Sequence, residues 1–404
     1  MSDLAVDNLD LVIAALLGLF AAAGFAGALF TLLRTGRPPR AADVPLTLLI
    51  PVTGGSVDLD RLVRLISAQW LIPRRTVFIV ESAADPAHGK LKQVLGRSTS
   101  RTEIFIAGLA TAAAQKSHNL ARALAHYDDG SRIVVLADAD IAPQPHWLAD
   151  VVQPLVRGAS EVVTGYRWAL PMDCHPATLL EAWIDRALAS LPKPPWYTLA
   201  WGGSLGFAPG TPARIGAIPV LEGAVSDDIS LARAARRHGI GVLYRKRLLV
   251  PTPVSHSAAS LIAFAARQYQ MLRLHQSAIW WNALLVVSGS MALKSWLWWH
   301  AFTSTFWLQV LVAFLAVTYA TYGLRILRAW RLECWTVGSR RAEAALLLVP
   351  LFGPVVDLVH LAALLIGWSV RRVDWAHCSY ELDNGKVVRI ERRPWTAEEV
   401  TGAP

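Results

Sequence analysis

The chain alternates between long uncharged runs and stretches in which short apolar segments are separated by polar ones. Residues 11–33 carry no charge and are long enough to cross ~30 Å of hydrocarbon at ~1.5 Å per helical residue. Asp3, Asp7 and Asp10 precede them; Arg34, Arg37 and Arg40 follow. Basic residues mark the cytoplasmic flank of a span, which places the next segment in the cytoplasm. A secretory signal is the plain alternative, but its basic leading region is absent and the charge order is inverted. From about 44 to about 274 the pattern shortens. Apolar runs at 46–52, 76–80, 103–106, 132–137 and 161–164 have the length of buried strands. Between them, 59–69, 116–126 and 146–156 repeat apolar residues at helical spacing. Strands alternating with helices predict an α/β domain with a mostly parallel sheet, whose ligands gather at the carboxyl ends of strands.

Long apolar runs return after Ser277. Residues 277–293 and 301–324 are uncharged and separated by Lys294 and His300. Arg325, Arg328, Arg331, Arg340 and Arg341 then form a basic loop. A third apolar region, 343–370, is broken by Pro350, Gly353 and Pro354 and followed by Arg371 and Arg372. A simple crossing would leave those last arginines outside. A re-entrant hairpin turning at Phe352-Gly353-Pro354 keeps both basic ends inside, and we prefer it; such broken helices need protein cover at membrane depth. Asp357 and His360 are costly in lipid and are expected to face protein or headgroups. The partition is 1–43, a transmembrane helix and basic linker; 44–276, a cytoplasmic α/β domain ending in an amphipathic interfacial helix; 277–370, membrane segments; and 371–404, a cytoplasmic tail.

Composition agrees with a protein partly in lipid. Hydrophobic residues make up 54% and charged residues 17%, with a mean hydropathy of +0.37, too apolar for an ordinary soluble enzyme. Lys and Arg exceed Asp and Glu by 39 to 30. Much of that excess flanks apolar runs, which points to anionic headgroups and away from nucleic acid. The 17 tryptophans are weighted to the last third, as at membrane interfaces. Cys174, Cys334 and Cys378 show neither metal-ligand spacing nor a disulfide framework.

The strongest chemical signal is Val134-Val135-Leu136-Ala137-Asp138-Ala139-Asp140. Two carboxylates at a strand's end, one residue apart, can hold a hard divalent cation through oxygen. A departing diphosphate needs such a cation. The plain alternative is a solvated Asp-x-Asp turn. Asp227-Asp228 opens a run of helical period, 229–238; acidic first-turn residues are common there, and one of these could also act as a general base. Glu81 ends a strand and Asp85 follows in the loop, placed for uracil or ribose or simply for a surface turn. Lys116, in Gln115-Lys116-Ser117-His118-Asn119, could meet a phosphate or be merely solvated. Gly203 and Ser204, in the glycine-rich run 201–207, would permit close backbone approach to a ligand or form a tight turn. Gln270 and Arg273 share a face of the amphipathic stretch 258–276; that face fits a diphosphate and a lipid headgroup, or a basic interfacial helix.

Taken in order, these pieces resemble the glycosyltransferase family 2 superfamily, and most of all family 21, the ceramide glucosyltransferases and their bacterial relatives of hopanoid biosynthesis. The resemblance runs from Val44 onward. It implies Asp85, Asp138 and Asp228 as the family's three aspartate motifs. It implies Gln270-Met271-Leu272-Arg273-Leu274 as its Gln/Arg-x-x-Arg-Trp motif. The tail from Trp375 through Tyr380 and Leu382 is similar to the family's ending. Leu274 stands where the family has Trp, Ala84 where an acid often precedes the first aspartate, and no arginine follows Trp375. What the resemblance implies is a GT-A-type α/β domain on a membrane platform. Its donor would be a UDP-sugar, UDP-glucose foremost, held by Glu81, Asp85, Lys116, Asp138, Gly203, Ser204, Gln270 and Arg273. Asp138 and Asp140 would hold Mg²⁺ or Mn²⁺, and Asp228 would deprotonate a lipid acceptor in an inverting transfer. The acceptor would be ceramide-like, in a multi-pass protein of a bacterial inner membrane or its equivalent. A hopanoid or diacylglycerol acceptor, a processive polysaccharide synthase, and an inactive lipid-binding scaffold are the alternatives. The synthase would need a larger membrane channel, and retention of the acidic positions argues against the scaffold.

Overall fold

The computed structural model of the chain describes residues 8–39, 43–55, 57–96, 101–191, 193, 199–335, 337–369, 371–383 and 385–401. Asp3, Asp7, Arg40 and Val370, used in the sequence reading, lie outside them. The chain divides into two compact units that do not follow its linear order. One comprises Gly36–Arg167, Lys193–Thr252 and Val370–Pro404; the other comprises Met1–Thr35, Trp168–Pro192 and Pro253–Ser369.

The first unit is built on a seven-stranded sheet of β1 (Leu46–Pro51), β2 (Arg75–Val80), β3 (Thr102–Ile106), β4 (Ile133–Leu136), β5 (Val162–Pro171), β6 (Leu205–Phe207) and β7 (Val242–Val254). Their order is β3-β2-β1-β4-β6-β5-β7. β1 pairs in parallel with β2 and β4, and β2 with β3, whereas β6 runs antiparallel to β4 and β5. Alternate residues of each strand enter opposite layers. Leu48, Ile50, Phe78 and Val135 join Trp147 and Val151 on one face; Leu49, Val77, Ile79, Val134 and Leu136 join Leu120 and Leu124 on the other. Burial on both faces is why β1, β2 and β4 read as near-continuous apolar runs. The mixed α/β class with a mostly parallel sheet is the one expected from the sequence.

Two strands of this sheet escaped the sequence pattern. β7 carries Arg245-Lys246-Arg247 in its middle. Arg245 and Arg247 reach the fully buried Asp150 at 2.9 and 3.0 Å, a partner nearly a hundred positions away that lets charge into the sheet. β6 lies within the glycine-rich run: a Cβ on Gly206 would stand 2.4 Å from Val151, so only glycine lets the adjacent helix pack there. The tail, for which the sequence reading assigned no strands, forms a second antiparallel sheet, β8 (Arg372–Trp375), β9 (Cys378–Asp383) and β10 (Lys386–Arg392), in the order β10-β9-β8.

The second unit is helical. Asn8–Leu33, Thr305–Arg331 and Arg340–Ile366 are each long and apolar enough to cross a membrane. The helix Ser277–Ala301 runs through Lys294, where the sequence suggested a break. Lys294 does not end it because its ammonium meets Asp357 at 2.9 Å, and Ser290 donates to the same carboxylate. Counted as one run, Arg340–Ile366 could cross the membrane; its contacts double it back. Glu343 meets Arg186 beside Tyr322, and Tyr319 donates to the Leu347 carbonyl. Trp298 then donates to the Leu351 carbonyl, and Trp368 packs on Trp280 at the other end of that helix. The segment therefore runs out along Thr305–Arg331 and returns along Ser277–Ala301, turning at Phe352-Gly353. His360 accepts or donates at Tyr269, so both costly side chains of this region face protein.

Candidate active site

β4 delivers Asp138 and Asp140 at its carboxyl end. Asp138 is partly open, 27% exposed at the side chain, and Asp140 is exposed. Lys116, in the first turn of the helix Gln115–Tyr127, places its ammonium 2.7 Å from Asp138 and 3.2 Å from Asp227. Asp227 and Asp228 open the helix Asp227–Arg237, where a negative charge also complements the helix dipole. Asp228 is fixed by three donors: Gly202 N–H at 2.9 Å, the Ser226 hydroxyl at 2.6 Å and Ile229 N–H at 2.7 Å. A Cβ on Gly202 would stand 2.9 Å from the Lys116 ammonium, 3.0 Å from Asp227 and 3.4 Å from Asp228. One lysine thus sits among carboxylates from a strand end and a helix start, with a bare glycine backbone closing one side.

The electrostatics follow. Burial alone would lower the Lys116 ammonium, but Asp138, Asp227 and Asp228 outweigh it and raise it. Burial pushes the Asp227 carboxyl up to about 6; Lys116 opposes this, while Asp228 and Asp138 add to it. Asp140 is likewise raised to about 6, by loss of solvation first and by Asp138 second, against the pull of Arg167 and Lys116. Its outer surface nonetheless reaches solvent, so the crowding comes from the protein side and the open side remains accessible. The group holds more carboxylate charge than its lysine compensates, an arrangement suited to a further cation.

The other sequence candidates have partners of their own. Asp85 caps the helix Pro86–Leu95, accepting from Ala87 N–H and from Gly54 N–H, both at 2.9 Å. Glu81 is 4% exposed and meets His377 of the tail at 3.0 Å. Ser204 is fully buried, its hydroxyl accepting from the Trp147 indole. Gly203 turns toward the ring of Trp201. Gln270 and Arg273 belong to the helical unit. There Gln270 donates to the Ser369 carbonyl, and the Arg273 guanidinium lies 5.1–5.9 Å from the rings of Trp280, Trp281 and Trp368.

Sequence reasoning noted the glycine-rich run without singling out Gly202, and matched the tail to the family's ending without bringing it to this site. The Trp375 ring stands 5.5 Å from the Lys116 ammonium. The Tyr380 hydroxyl accepts from Gln115 N–H, and Arg392 donates to the Ala110 carbonyl and to the Gln115 side chain. The tail sheet therefore holds the start of the helix that carries Lys116. The available signal was the alternation Cys378, Tyr380, Leu382, all buried, against Ser379, Glu381 and Asp383.

A model of glycosyl transferase family 21 matches residues 11–388. No curated protein matches the chain. Among solved structures, the mannosyltransferase PcManGT from Pyrobaculum calidifontis, in complex with GDP-Man and Mn²⁺, is similar at 17% identity and a TM-score of 0.46, covering 89% of this chain and 98% of its own. Glucosyl-3-phosphoglycerate synthase from Mycobacterium tuberculosis, in complex with Mn²⁺, UDP and glucosyl-3-phosphoglycerate, is similar at 13% identity and a TM-score of 0.37, covering 57% and 79%.

Proposed function

Since the chain belongs to glycosyl transferase family 21 and is a glycosyltransferase, we propose that it moves a hexose from a UDP-sugar, UDP-glucose foremost, to the hydroxyl of a membrane lipid of ceramide type. The observation that carries the reading is the lysine at the centre of Asp138, Asp227 and Asp228, at the carboxyl end of β4. Asp138 and Asp140 offer hard oxygen ligands beside an open face, which fits Mg²⁺ or Mn²⁺. When bound, the cation neutralises charge on the departing diphosphate. Lys116 adds a second positive charge toward the same phosphates. Asp228, oriented by Gly202, Ser226 and Ile229, takes the proton of the acceptor hydroxyl. The acceptor oxygen bonds to the anomeric carbon from the face opposite the diphosphate, whose bond to that carbon breaks, so the configuration inverts. Asp85 and Ser204, held by backbone and indole groups, position the loops that wall the donor cleft, and Gly203 keeps its loop free of side-chain bulk.

On the same reading the catalytic unit lies on the cytoplasmic side, because Arg34 and Arg37 follow the first apolar helix and Arg325, Arg328 and Arg331 end the helix Thr305–Arg331. The acceptor is then a lipid of the cytoplasmic leaflet. Mass spectrometry of lipids from cells with and without the protein tests the proposal and names both sugar and acceptor. A hexosyl lipid that disappears with the protein supports it; an unchanged lipid profile beside a lost soluble glycoside would contradict it.

A further inference from the structure

Outside the acid–lysine group, one buried cluster combines three different metal-ligating side chains. Glu81 follows the last residue of β2. His377 lies in the two-residue turn between β8 and β9, and Cys378 begins β9. All three are buried, at 4%, 5% and 3% exposure. One Glu81 oxygen lies 3.0 Å from His377 Nε2, and Cys378 Sγ lies 3.6 Å from the same nitrogen. The ligand atoms of the three lie within 4.8 Å of one another. In a tetrahedral zinc site, bond lengths of ~2.0–2.3 Å put an N···S edge near ~3.6 Å and an N···O edge near ~3.4 Å. The observed spacings match the first and fall a few tenths short of the second.

Two further observations point the same way. The second Glu81 oxygen is buried and has no hydrogen-bond partner among the described residues, although an unpartnered buried carboxylate oxygen is costly. Ala376, which precedes His377 in the turn, is held at φ +51°, a left-handed conformation that alanine rarely adopts. The turn is thus kept in an unfavourable backbone state while it presents His377 and Cys378 to Glu81, as strained positions at ligand sites often are. The His377 ring is further fixed by Trp395, with ring centroids 3.8 Å apart.

We propose that Glu81, His377 and Cys378 bind a zinc ion, with water or the second Glu81 oxygen completing the shell. A thiolate and an imidazole beside one carboxylate form a softer donor set than Asp138 and Asp140. The set selects zinc over the hard cations that suit those aspartates. The thiol gives up its proton on binding and the imidazole ligates in its neutral form, so affinity rises with pH. The ion fastens the tail sheet to the end of β2, and with it the strands that brace the helix carrying Lys116.

The test uses the full chain purified in detergent without chelator, exposed to zinc, freed of excess by gel filtration, and assayed by inductively coupled plasma mass spectrometry. Wild type should retain about one zinc per chain. Cys378→Ser and His377→Gln should each lower retention about tenfold or more, whereas Asp138→Asn should retain the zinc. Cobalt loaded in place of zinc should give a thiolate-to-metal charge-transfer band in wild type that is lost in Cys378→Ser. Wild type without zinc above background, retention unmoved by both tail variants, or a cobalt spectrum without the thiolate band would each overturn the proposal. The wild-type cobalt spectrum decides the matter even where a variant folds poorly.

Discussion

The Lys116 ammonium lies 2.7 Å from the Asp138 carboxylate, joining the first turn of one helix to the end of the sheet's central strand. With Asp227 at 3.2 Å on its other side, the lysine is the shared counter-ion of side chains distant in sequence.

Lys116→Met leaves those carboxylates facing one another without that charge. Breaking a largely buried ion pair costs about 3 kcal/mol, so the midpoint of thermal unfolding should fall and UDP-sugar binding should be lost. Thermal unfolding of the solubilised protein, with donor titration by calorimetry, measures both. Unchanged donor affinity would remove Lys116 from the site.

Gly202→Ala places a Cβ among Lys116, Asp227 and Asp228. It should reduce transfer by about tenfold or more, a loss of roughly 1.4 kcal/mol in transition-state stabilisation, while the fold survives. Gly223→Ala, where a Cβ meets nothing within 4 Å, is the control and should transfer normally. Equal activity in the two variants would show that the close approach at Gly202 is without consequence.

Asp227 and Asp228 should separate in their effects. Asp228→Asn should lose about 10²–10⁴-fold in transfer, the usual contribution of a general base, and keep donor binding. Asp227→Asn should be milder in transfer and should alter stability. The Asp227 carboxyl sits at about 6 against an ordinary 3.8. Between those values the folded chain holds a proton that the unfolded chain has released, so stability falls as pH rises through that window. Asp227→Asn should flatten that fall. Loss of donor binding in Asp228→Asn would assign Asp228 to the donor and require another base.

Much of the fold and part of the site were legible in the sequence, for physical reasons. β1, β2 and β4 are buried on both faces, so apolar residues dominate them and only Thr47, Arg75 and Thr76 are polar. β7 was hidden because Arg245 and Arg247 are neutralised by Asp150, which no local pattern reveals. Asp138, Asp140, Asp227 and Asp228 stood out because they end a strand or begin a helix. That Lys116 joins two of these groups depends on tertiary packing. So does the choice of Gly202 over Gly203 as the glycine facing the charges. Glu81 was legible as a strand-end acid, but its partner His377 lies almost three hundred residues on, in a sheet that reads as a polar tail.

The membrane topology has its own test. Among single-cysteine variants in a background with Cys174, Cys334 and Cys378 replaced, Arg340→Cys and Arg371→Cys flank the doubled-back segment. Phe302→Cys marks the turn between the helices Ser277–Ala301 and Thr305–Arg331. An impermeant maleimide should label the first two only in inverted vesicles and the third in intact cells. Arg371→Cys labelled together with Phe302→Cys would make the segment a simple span.

The most direct measurement of the central claim is transfer by the purified full chain in lipid nanodiscs, supplied with labelled UDP-glucose and a ceramide or diacylglycerol acceptor. Wild type should form a labelled glycolipid, EDTA should stop it, and added Mn²⁺ or Mg²⁺ should restore it. Asp138→Asn should form essentially none, since removing such charge stabilisation costs several kcal/mol. Near-normal transfer by Asp138→Asn with EDTA harmless, or no glycolipid from wild type with any UDP-hexose and lipid acceptor offered, would contradict the account.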